Sequence, residues 1–302
     1  MPYHLIPNRL VLNNPVMVAS GVFGYGSEYA SRNRVDDLGG IVAKGVTVEP
    51  RAGHPPPRIV ETAAGVLNAI GLANIGLDAL IRREAPRWAH MDVPVFVNVN
   101  GETLAEYEHI CRRLDNVPGI AALELNISCP NVARGGMAFG MDPGSAAAVT
   151  RAARLVTSLP LLVKLTPNCA DVAAVARAAV DAGAEALTVA NTYLGMSINA
   201  AKFRPSLSNV TGGLSGPAIK PLTLRLVAEV ASAVTVPVIG CGGVLSGEDA
   251  AEYLLAGASA VQVGTANLVD PFATTRIARE LLGWLTARGV DVDSVRGRGV
   301  SG

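Results

Sequence analysis

Aromatic residues, charge and cysteine are all scarce in this sequence. Of its 302 residues, 4% are aromatic and 17% are charged, and the formal net charge at pH 7 is zero. Because basic and acidic residues balance, nothing in the overall charge favours a nucleic-acid or polyanion partner. Half of the residues are hydrophobic, which is typical of an α/β protein whose parallel strands are buried on both faces.

The sequence also lacks the features of a membrane or exported protein. No apolar run approaches the roughly 18 residues that a membrane-spanning helix requires. The first residues, Met1–Leu5, have neither the basic region nor the apolar region of a signal peptide. We therefore expect a cytoplasmic protein with no membrane contact.

Cysteine is too sparse and too scattered to form a metal site. The four cysteines contain no Cys-x-x-Cys pair, so a zinc site or an iron–sulfur cluster held by this chain alone is not expected. Disulfides are not expected either in a reducing compartment. The four are Cys111, Cys129, Cys169 and Cys241.

Eight short β-rich runs divide the sequence, and helical patterns lie between them. The runs are dense in Val, Ile, Leu and Ala, as in the central strands of a parallel sheet. This alternation predicts an α/β fold, a single-domain (β/α)8 TIM barrel over residues 1–302 with long loops at its C-terminal face. A doubly wound open sheet is the alternative. The runs are Pro15–Ser20, Gly40–Lys44, Val95–Asn100, Ala121–Ile127, Leu161–Thr166, Ala186–Asn191, Pro237–Cys241 and Ala260–Thr265.

Three helices have recognisable N-terminal signals, with Thr103, Asp171 and Ser246 as the predicted N-caps. Thr103 and Glu106 have the spacing of a capping box. The apolar face of the first helix is predicted at Leu104, Tyr107, Ile110, Cys111 and Leu114.

Three long segments interrupt the alternation: Thr47–Gly76, Cys129–Pro143 and Tyr193–Pro217. Each is rich in glycine, and we interpret each as a loop. Loops of this length inside a compact domain are usually functional. All three follow the C-terminal end of a predicted strand, where barrel enzymes place their chemistry.

Polar residues and glycines end almost every predicted strand. Because buried polar groups need partners, this rim of lysines and amides, without a carboxylate, suits a planar ligand with carbonyl and NH groups, plus an anion. Glycines after the last two strands could bind phosphate through bare backbone NH groups. Alternatively, these residues merely cap strands and form turns. The set is Ser20, Gly21, Lys44, Asn98, Asn100, Asn126, Ser128, Cys129, Lys164, Thr166, Asn191, Thr192, Gly242, Gly243, Gly264 and Thr265.

Cys129 lies in this set, at the start of a glycine-bearing loop. A thiol there could act as a base, as a nucleophile or as a buried small hydrophobe. A nucleophile usually needs a nearby histidine, and none of the four histidines falls in the strand-end set. For Cys111 and Cys241 we favour the buried hydrophobe.

Several runs together carry a family resemblance. They are Lys44–Thr47, Asn68–Gly76, Asn126–Asn131, Asn191–Thr192, Gly212–Pro221, Gly240–Gly243 and Val263–Thr265. With these runs the sequence resembles the class 1 dihydroorotate dehydrogenases over nearly its whole length. The Gly212–Pro217 run and the Gly-Met after Asn191 resemble subclass 1B, the NAD-linked form.

The resemblance implies non-covalent FMN at the barrel mouth and oxidation of (S)-dihydroorotate to orotate in pyrimidine synthesis. It makes Cys129 the base that removes the C5 proton while hydride leaves C6 for flavin N5. The loop after Cys129 becomes a lid, and Lys164 stabilises negative charge on the reduced flavin. The implied substrate residues are Lys44, Asn68, Gly71, Leu72, Asn126, Asn191 and Thr192. The implied FMN residues are Ser20, Gly21, Lys44, Asn98, Asn126, Lys164, Gly216, Gly242, Gly243, Gly264 and Thr265.

Subclass 1B also implies a partner. Its members work with a second subunit that carries FAD and a 2Fe-2S cluster and passes electrons to NAD, with a homodimer of the catalytic subunit at the core of a heterotetramer. Two other functions remain open. One is an FMN barrel reductase of the dihydropyrimidine dehydrogenase type, and the other is a phosphate-binding barrel without a redox role.

Overall fold

A computed structural model describes residues 3–30, 35–128 and 139–300 of the chain. The strands in these ranges are β1 Tyr3–Ile6, β2 Leu10–Leu12, β3 Val16–Val18, β4 Gly40–Val46, β5 Ile59–Thr62, β6 Gly65–Asn68, β7 Val95–Val99, β8 Ala122–Asn126, β9 Leu161–Lys164, β10 Ala186–Val189, β11 Tyr193–Met196, β12 Ile198–Asn199, β13 Arg204–Pro205, β14 Thr211–Ser215, β15 Val238–Cys241 and β16 Ala260–Val263. The helices are α1 Ser27–Ala30, α2 Leu77–Ala79, α3 Ala85–Trp88, α4 Leu104–Leu114, α5 Pro143–Arg154, α6 Val172–Asp181, α7 Lys220–Ala233, α8 Gly247–Leu255, α9 Ala266–Val269, α10 Ala273–Arg288 and α11 Val292–Val295. A π-helical turn, Leu80–Glu84, connects α2 with α3.

Eight of these strands close into a parallel barrel in the order β3-β4-β7-β8-β9-β10-β15-β16. Each strand pairs with the next one along the chain, and β16 closes the ring through the pair Val263 and Val18. All eight predicted strands are present, within a few residues of the predicted ends. The (β/α)8 barrel is confirmed, and the open sheet is wrong.

The lower half of the barrel is apolar. Each strand contributes one fully buried side chain to a layer that packs against the hairpin of β1 and β2. Such layers fill the interior of (β/α)8 barrels, so the interior is a packed core rather than a pore. The layer comprises Met17, Val42, Phe96, Ala122, Leu162, Ala186, Ile239 and Ala260. The sequence analysis did not predict the hairpin.

The predicted N-caps hold, with one correction. Asp171 accepts a hydrogen bond from the backbone NH of Ala174 at 2.8 Å, and Ser246 forms a complete capping box with Asp249. Thr103 caps α4, but the carboxylate of Glu106 accepts from Glu102 instead of the cap residue. The predicted capping box at Thr103 is therefore wrong in its second bond.

The predicted apolar face of α4 is also wrong at one position. Leu104, in the first turn, is 41% exposed, whereas Tyr107, Ile110, Cys111 and Leu114 are buried. Leu104 is the first residue of α4, so the apolar face begins one turn later, at Tyr107.

Two of the three segments interpreted as loops contain strands. From Thr47–Gly76 come β5 and β6, and from Tyr193–Pro217 come β11 and β14, which pair in the order β11-β14-β6-β5 as an antiparallel sheet. Their glycines and short lengths give no regular alternation, which explains the error. In the third segment, residues 129–138 lie outside the described residues, and a short 3-10 turn, Phe139–Met141, follows.

Candidate active site

A cavity of about 290 Å³ opens at the carboxyl ends of the barrel strands. Residues at the ends of all eight strands line it, together with residues of the antiparallel sheet. The structure thus brings most of the predicted site residues into one place. They are Ser20, Gly21, Lys44, Asn68, Leu72, Asn98, Asn126, Lys164, Asn191, Thr192, Gly216, Gly242, Gly243, Gly264 and Thr265.

Four residues of the predicted strand-end and ligand sets are not in this lining: Gly71, Ser128, Cys129 and Thr166. Gly71 lies beside it, with a φ of 70°, and a Cβ there would fall 2.5 Å from the backbone nitrogen of His54. A side chain at this position is therefore excluded both by backbone conformation and by space. Cys129, the predicted catalytic residue, lies outside the described residues, and its role stays a prediction.

Asparagine amides that line the cavity are held in fixed orientations. The side-chain amide of Asn191 donates to Asn126 Oδ1 at 3.2 Å, and Asn191 Oδ1 accepts from the backbone NH of Thr192. Asn68, on β6, donates to the carbonyl of Gly213 at 3.2 Å. The buried Tyr107 hydroxyl donates to the Asn126 carbonyl at 2.6 Å. A polar ligand would meet donors and acceptors that are already ordered.

Lys44 also lines the cavity and is half-buried, near the end of β4. Burial lowers the pKa of its ammonium, and the positive charge of Arg58 lowers it further, although Glu28 acts in the opposite direction. Two cations near one subsite favour an anionic ligand, because such a ligand relieves both desolvation and repulsion.

Lys164 lies deeper, with 5% of its surface exposed. Its Nζ donates to Gln262 Oε1 at 3.3 Å and lies 3.9 Å from Glu124 Oε1. Burial lowers the pKa of Lys164, but Cys241 and Glu124 outweigh burial and raise it. Lys164 is thus a buried cation with a counter-charge.

Cys241 is buried, as predicted, but its environment is more polar than a core position. It lines the cavity and contacts Lys164. Burial raises the pKa of the Cys241 thiol, so the thiol remains protonated near neutral pH. The interpretation as a small buried hydrophobe is therefore incomplete.

Two residues that shape the site, Glu124 and Gln262, are absent from the prediction, and a third, Asn100, was predicted only as part of the strand-end rim. Glu124 and Gln262 lie one layer below the rim and are fully buried. Asn100 lines the cavity, donates to Asn98 Oδ1 at 2.9 Å, and has no hydrogen-bond partner for its own buried Oδ1 among the described residues. An unpaired buried acceptor indicates a ligand with a donor. In the sequence, Glu124 and Gln262 each lie between apolar residues of a strand, and that is the pattern from which a role in the site could have been predicted.

Two glycines of the cavity lining leave room for a ligand. A Cβ added to Gly21 would meet no atom within 4 Å, and one added to Gly264 would meet only Ala19 Cβ, at 3.7 Å. Both residues line the cavity. At both positions a side chain would fit, but the sequence has glycine. A ligand can therefore approach the backbone closely there.

Comparison with known proteins identifies the family. The family model described as Dihydroorotate dehydrogenase matches residues 7–285. The chain belongs to the dihydroorotate dehydrogenase family. A protein of Geobacter sp. (strain M21), named "Dihydroorotate dehydrogenase B (NAD(+)), catalytic subunit", is 52% identical over 280 residues, which cover 93% of this chain and 92% of that protein. Proteins of the same name from Trichlorobacter lovleyi and Desulforudis audaxviator are each 53% identical over 289 residues, 95% of this chain and 95% and 94% of theirs.

The resemblance to class 1 dihydroorotate dehydrogenases, and to subclass 1B within them, is thereby confirmed. Membership of the family implies a flavin cofactor, and the non-redox phosphate-binding barrel is wrong. The lysines, amides and open glycines of the cavity fit a flavin, which offers carbonyl acceptors, ring NH donors and a phosphate. In the described part of the chain, no helix is long and apolar enough to span a membrane, and no cluster of three His, Cys, Asp or Glu side chains could hold a metal ion.

Proposed function

We propose that this chain is the catalytic subunit of an NAD-linked dihydroorotate dehydrogenase, and that it oxidises (S)-dihydroorotate to orotate in pyrimidine synthesis. One observation carries the proposal. A single cavity is lined both by ordered amides with a lysine and by open glycines. The names of the relatives support the assignment.

The asparagine amides and Lys44 suit the substrate. Dihydroorotate has a carboxylate and a ring of alternating carbonyl and NH groups. Lys44 supplies a positive charge for the carboxylate, and Asn68, Asn126 and Asn191 supply both donors and acceptors for the ring. Thr192, Gly71 and Leu72 complete the proposed substrate set. Because these amides are ordered by protein hydrogen bonds, substrate binding orders few additional side chains.

The glycines of the cavity suit FMN, the flavin that we assign to the site. Gly216, Gly242, Gly243, Gly264 and Thr265 would hold its phosphate through backbone groups. The ring system would be contacted by Ser20, Gly21, Asn98 and Lys164. Lys44 and Asn126 would contact both the ring system and the substrate. Bound FMN would accept the hydride that leaves C6 of the substrate.

Cys129 is the proposed base for the C5 proton. In sequence it follows the end of β8 by three residues, and the last described residue before it, Ser128, donates its backbone NH to Asn126 Oδ1 at 3.2 Å. We expect Cys129→Ala to retain flavin but to lose most reduction by dihydroorotate. Unchanged reduction of the variant flavin would remove Cys129 from this role.

The decisive experiment adds dihydroorotate to the purified protein without oxygen. We expect the visible absorbance of the oxidised flavin to disappear and orotate to form in equal amount. Protein that contains no flavin, or flavin that dihydroorotate leaves oxidised, would refute the proposed function. The same experiment with dihydrouracil tests the dihydropyrimidine dehydrogenase-type reductase, because that substrate lacks the carboxylate.

A partner subunit is part of the proposal. The relatives are named as catalytic subunits, and we infer that a second subunit with FAD and a 2Fe-2S cluster passes electrons to NAD. A homodimer of this chain would form the core of the heterotetramer. Slow NAD reduction by the lone chain, with fast reduction in the complex, would support this. Cytoplasmic location and a single domain over residues 1–302 stay predictions.

A further inference from the structure

Glu124 is a buried carboxylate that the proposed function does not use. It lies in the middle of β8, points into the barrel, and has no exposed surface. Burying an ionised carboxylate is costly unless it is paired and hydrogen-bonded. Its position, one layer below the cavity rim, therefore requires a physical explanation.

Three neutral donors from three other strands contact this carboxylate. Glu124 Oε1 accepts from Asn98 Nδ2 at 2.9 Å, and Oε2 accepts from Thr188 Oγ1 and from Gln262 Nε2, both at 2.7 Å. A carboxylate that accepts several hydrogen bonds is stabilised in its ionised form. The surrounding donors are therefore arranged for a negative charge.

The carboxylate also determines which way two amides point. An ionised carboxylate only accepts hydrogen bonds, so Gln262 must present its Nε2, and its Oε1 is left to accept from Lys164 at 3.3 Å. Asn98 must likewise present Nδ2 to Glu124. Its Oδ1 then accepts from Asn100, whose own Oδ1, beside the cavity, has no partner in the described part of the chain.

Glu124 is at the same time the counter-charge of Lys164. The two side chains are 0% and 7% exposed, and Glu124 Oε1 lies 3.9 Å from Lys164 Nζ. Among the described residues, Glu124 is the only carboxylate within 4.0 Å of Lys164 Nζ. The other titratable group that acts on Lys164 is the thiol of Cys241.

We propose that Glu124 is a positioning residue that acts on the cofactor through Lys164. It balances the charge of the ammonium and orients Gln262 and Asn98 beneath the ring, and so it sets the reduction potential of the bound flavin. This inference rests on the proposed function, because it requires the flavin to lie over Lys164.

The test is Glu124→Gln, which preserves shape and removes the charge. If Lys164 keeps its proton in the variant, the site gains a net positive charge that favours the electron-rich reduced flavin. We expect at least a tenfold shift of the oxidised–reduced equilibrium toward reduced flavin, about 30 mV for a two-electron couple. If Lys164 loses its proton, reduction takes that proton up again, and the potential depends more steeply on pH. Either change supports the proposal.

Thr188→Val is the matched control. It removes the hydroxyl that donates to the same carboxylate and accepts from Gln262 at 3.4 Å, without changing any charge, so we expect a loss of thermal stability with an unchanged potential. A Glu124→Gln protein whose potential and pH slope both equal those of the unmodified protein would overturn the proposal. Equal shifts in both variants would also overturn it, because packing would then explain the result.

A second measurement needs no variant and covers the case in which Glu124→Gln does not fold. Infrared difference spectra of the unmodified protein, with ¹³C-labelled glutamate carboxyls, are recorded on flavin reduction. We expect an ionised carboxylate band that shifts on reduction. A protonated carboxylic acid band, or no glutamate signal, would contradict the proposal. Flavin reduction by dihydroorotate in the unmodified protein is checked first, so that failure of the proposed function is recognised separately.

Discussion

Substitution of Gly264 by alanine tests whether the flavin binds against this glycine in the cavity. The backbone of Gly264 does not adopt the left-handed conformation, and an added Cβ would meet only Ala19 Cβ, at 3.7 Å. Alanine is therefore compatible with the fold of the empty protein. Replacing glycine at such a position stabilises a protein by about 0.4–1 kcal/mol, because the unfolded chain loses freedom.

The same methyl group should weaken FMN binding. It would occupy space into which the ligand fits, and overfilling a packed interface costs about 1–3 kcal/mol. We expect FMN affinity to fall by roughly 5- to 150-fold. Stability of the apoprotein and affinity for the ligand should thus change in opposite directions, a combination that a folding defect cannot produce.

The assay combines thermal unfolding of the apoprotein with fluorescence titration by FMN. Gly283→Ala is the control, because Gly283 is exposed within α10 and a Cβ there would meet no atom within 4 Å. It should stabilise the protein by up to about 1 kcal/mol and leave FMN affinity unchanged. Unchanged FMN affinity in Gly264→Ala, or weaker binding together with a less stable apoprotein, would refute the reasoning.

Three further predictions concern individual side chains. Burial raises the pKa of the Cys111 thiol to about 12, so mass spectrometry should find Cys111 unmodified after mildly alkaline iodoacetamide treatment of folded protein; ready alkylation would contradict this. The pKa of Lys44 is lowered by burial and then by Arg58, so its cation is lost at lower pH than that of a free lysine. Orotate affinity, followed by titration, should fall as pH rises through that lowered pKa, and Lys44→Met should abolish the step. Tyr107→Phe removes the bond to the Asn126 carbonyl and should lower the free energy of unfolding in urea by about 1 kcal/mol; an unchanged midpoint would show that the bond contributes nothing.

The barrel could be predicted from the sequence because its strands are buried on both faces. Runs such as Leu161–Lys164, with every residue buried, have no polar alternation and can be little else in an α/β chain. The antiparallel sheet could not be predicted in this way. Its strand β14, Thr211–Ser215, contains two adjacent glycines and only one large apolar residue, so its pairing with β6 depends on tertiary contacts.

The site, too, could be predicted only in part. Polar residues at strand ends were visible one by one, and the barrel fold makes such ends converge. Glu124 was visible too, as a carboxylate between two leucines, but its meaning depends on partners that are far away in sequence. Thr188 and Gln262 are 64 and 138 residues distant. Closure of the barrel, which no local pattern encodes, is what brings them within hydrogen-bond distance.

The apolar layer and the hairpin beneath it determine where substrate can enter the barrel and where product can leave it. Together they make the described part of the barrel a cup rather than a tube, with its opening at the strand ends. Substrate and product must then pass through one mouth. Any subunit that docks over this mouth has to leave a path for orotate to depart, so the position of docking limits when the product can be released.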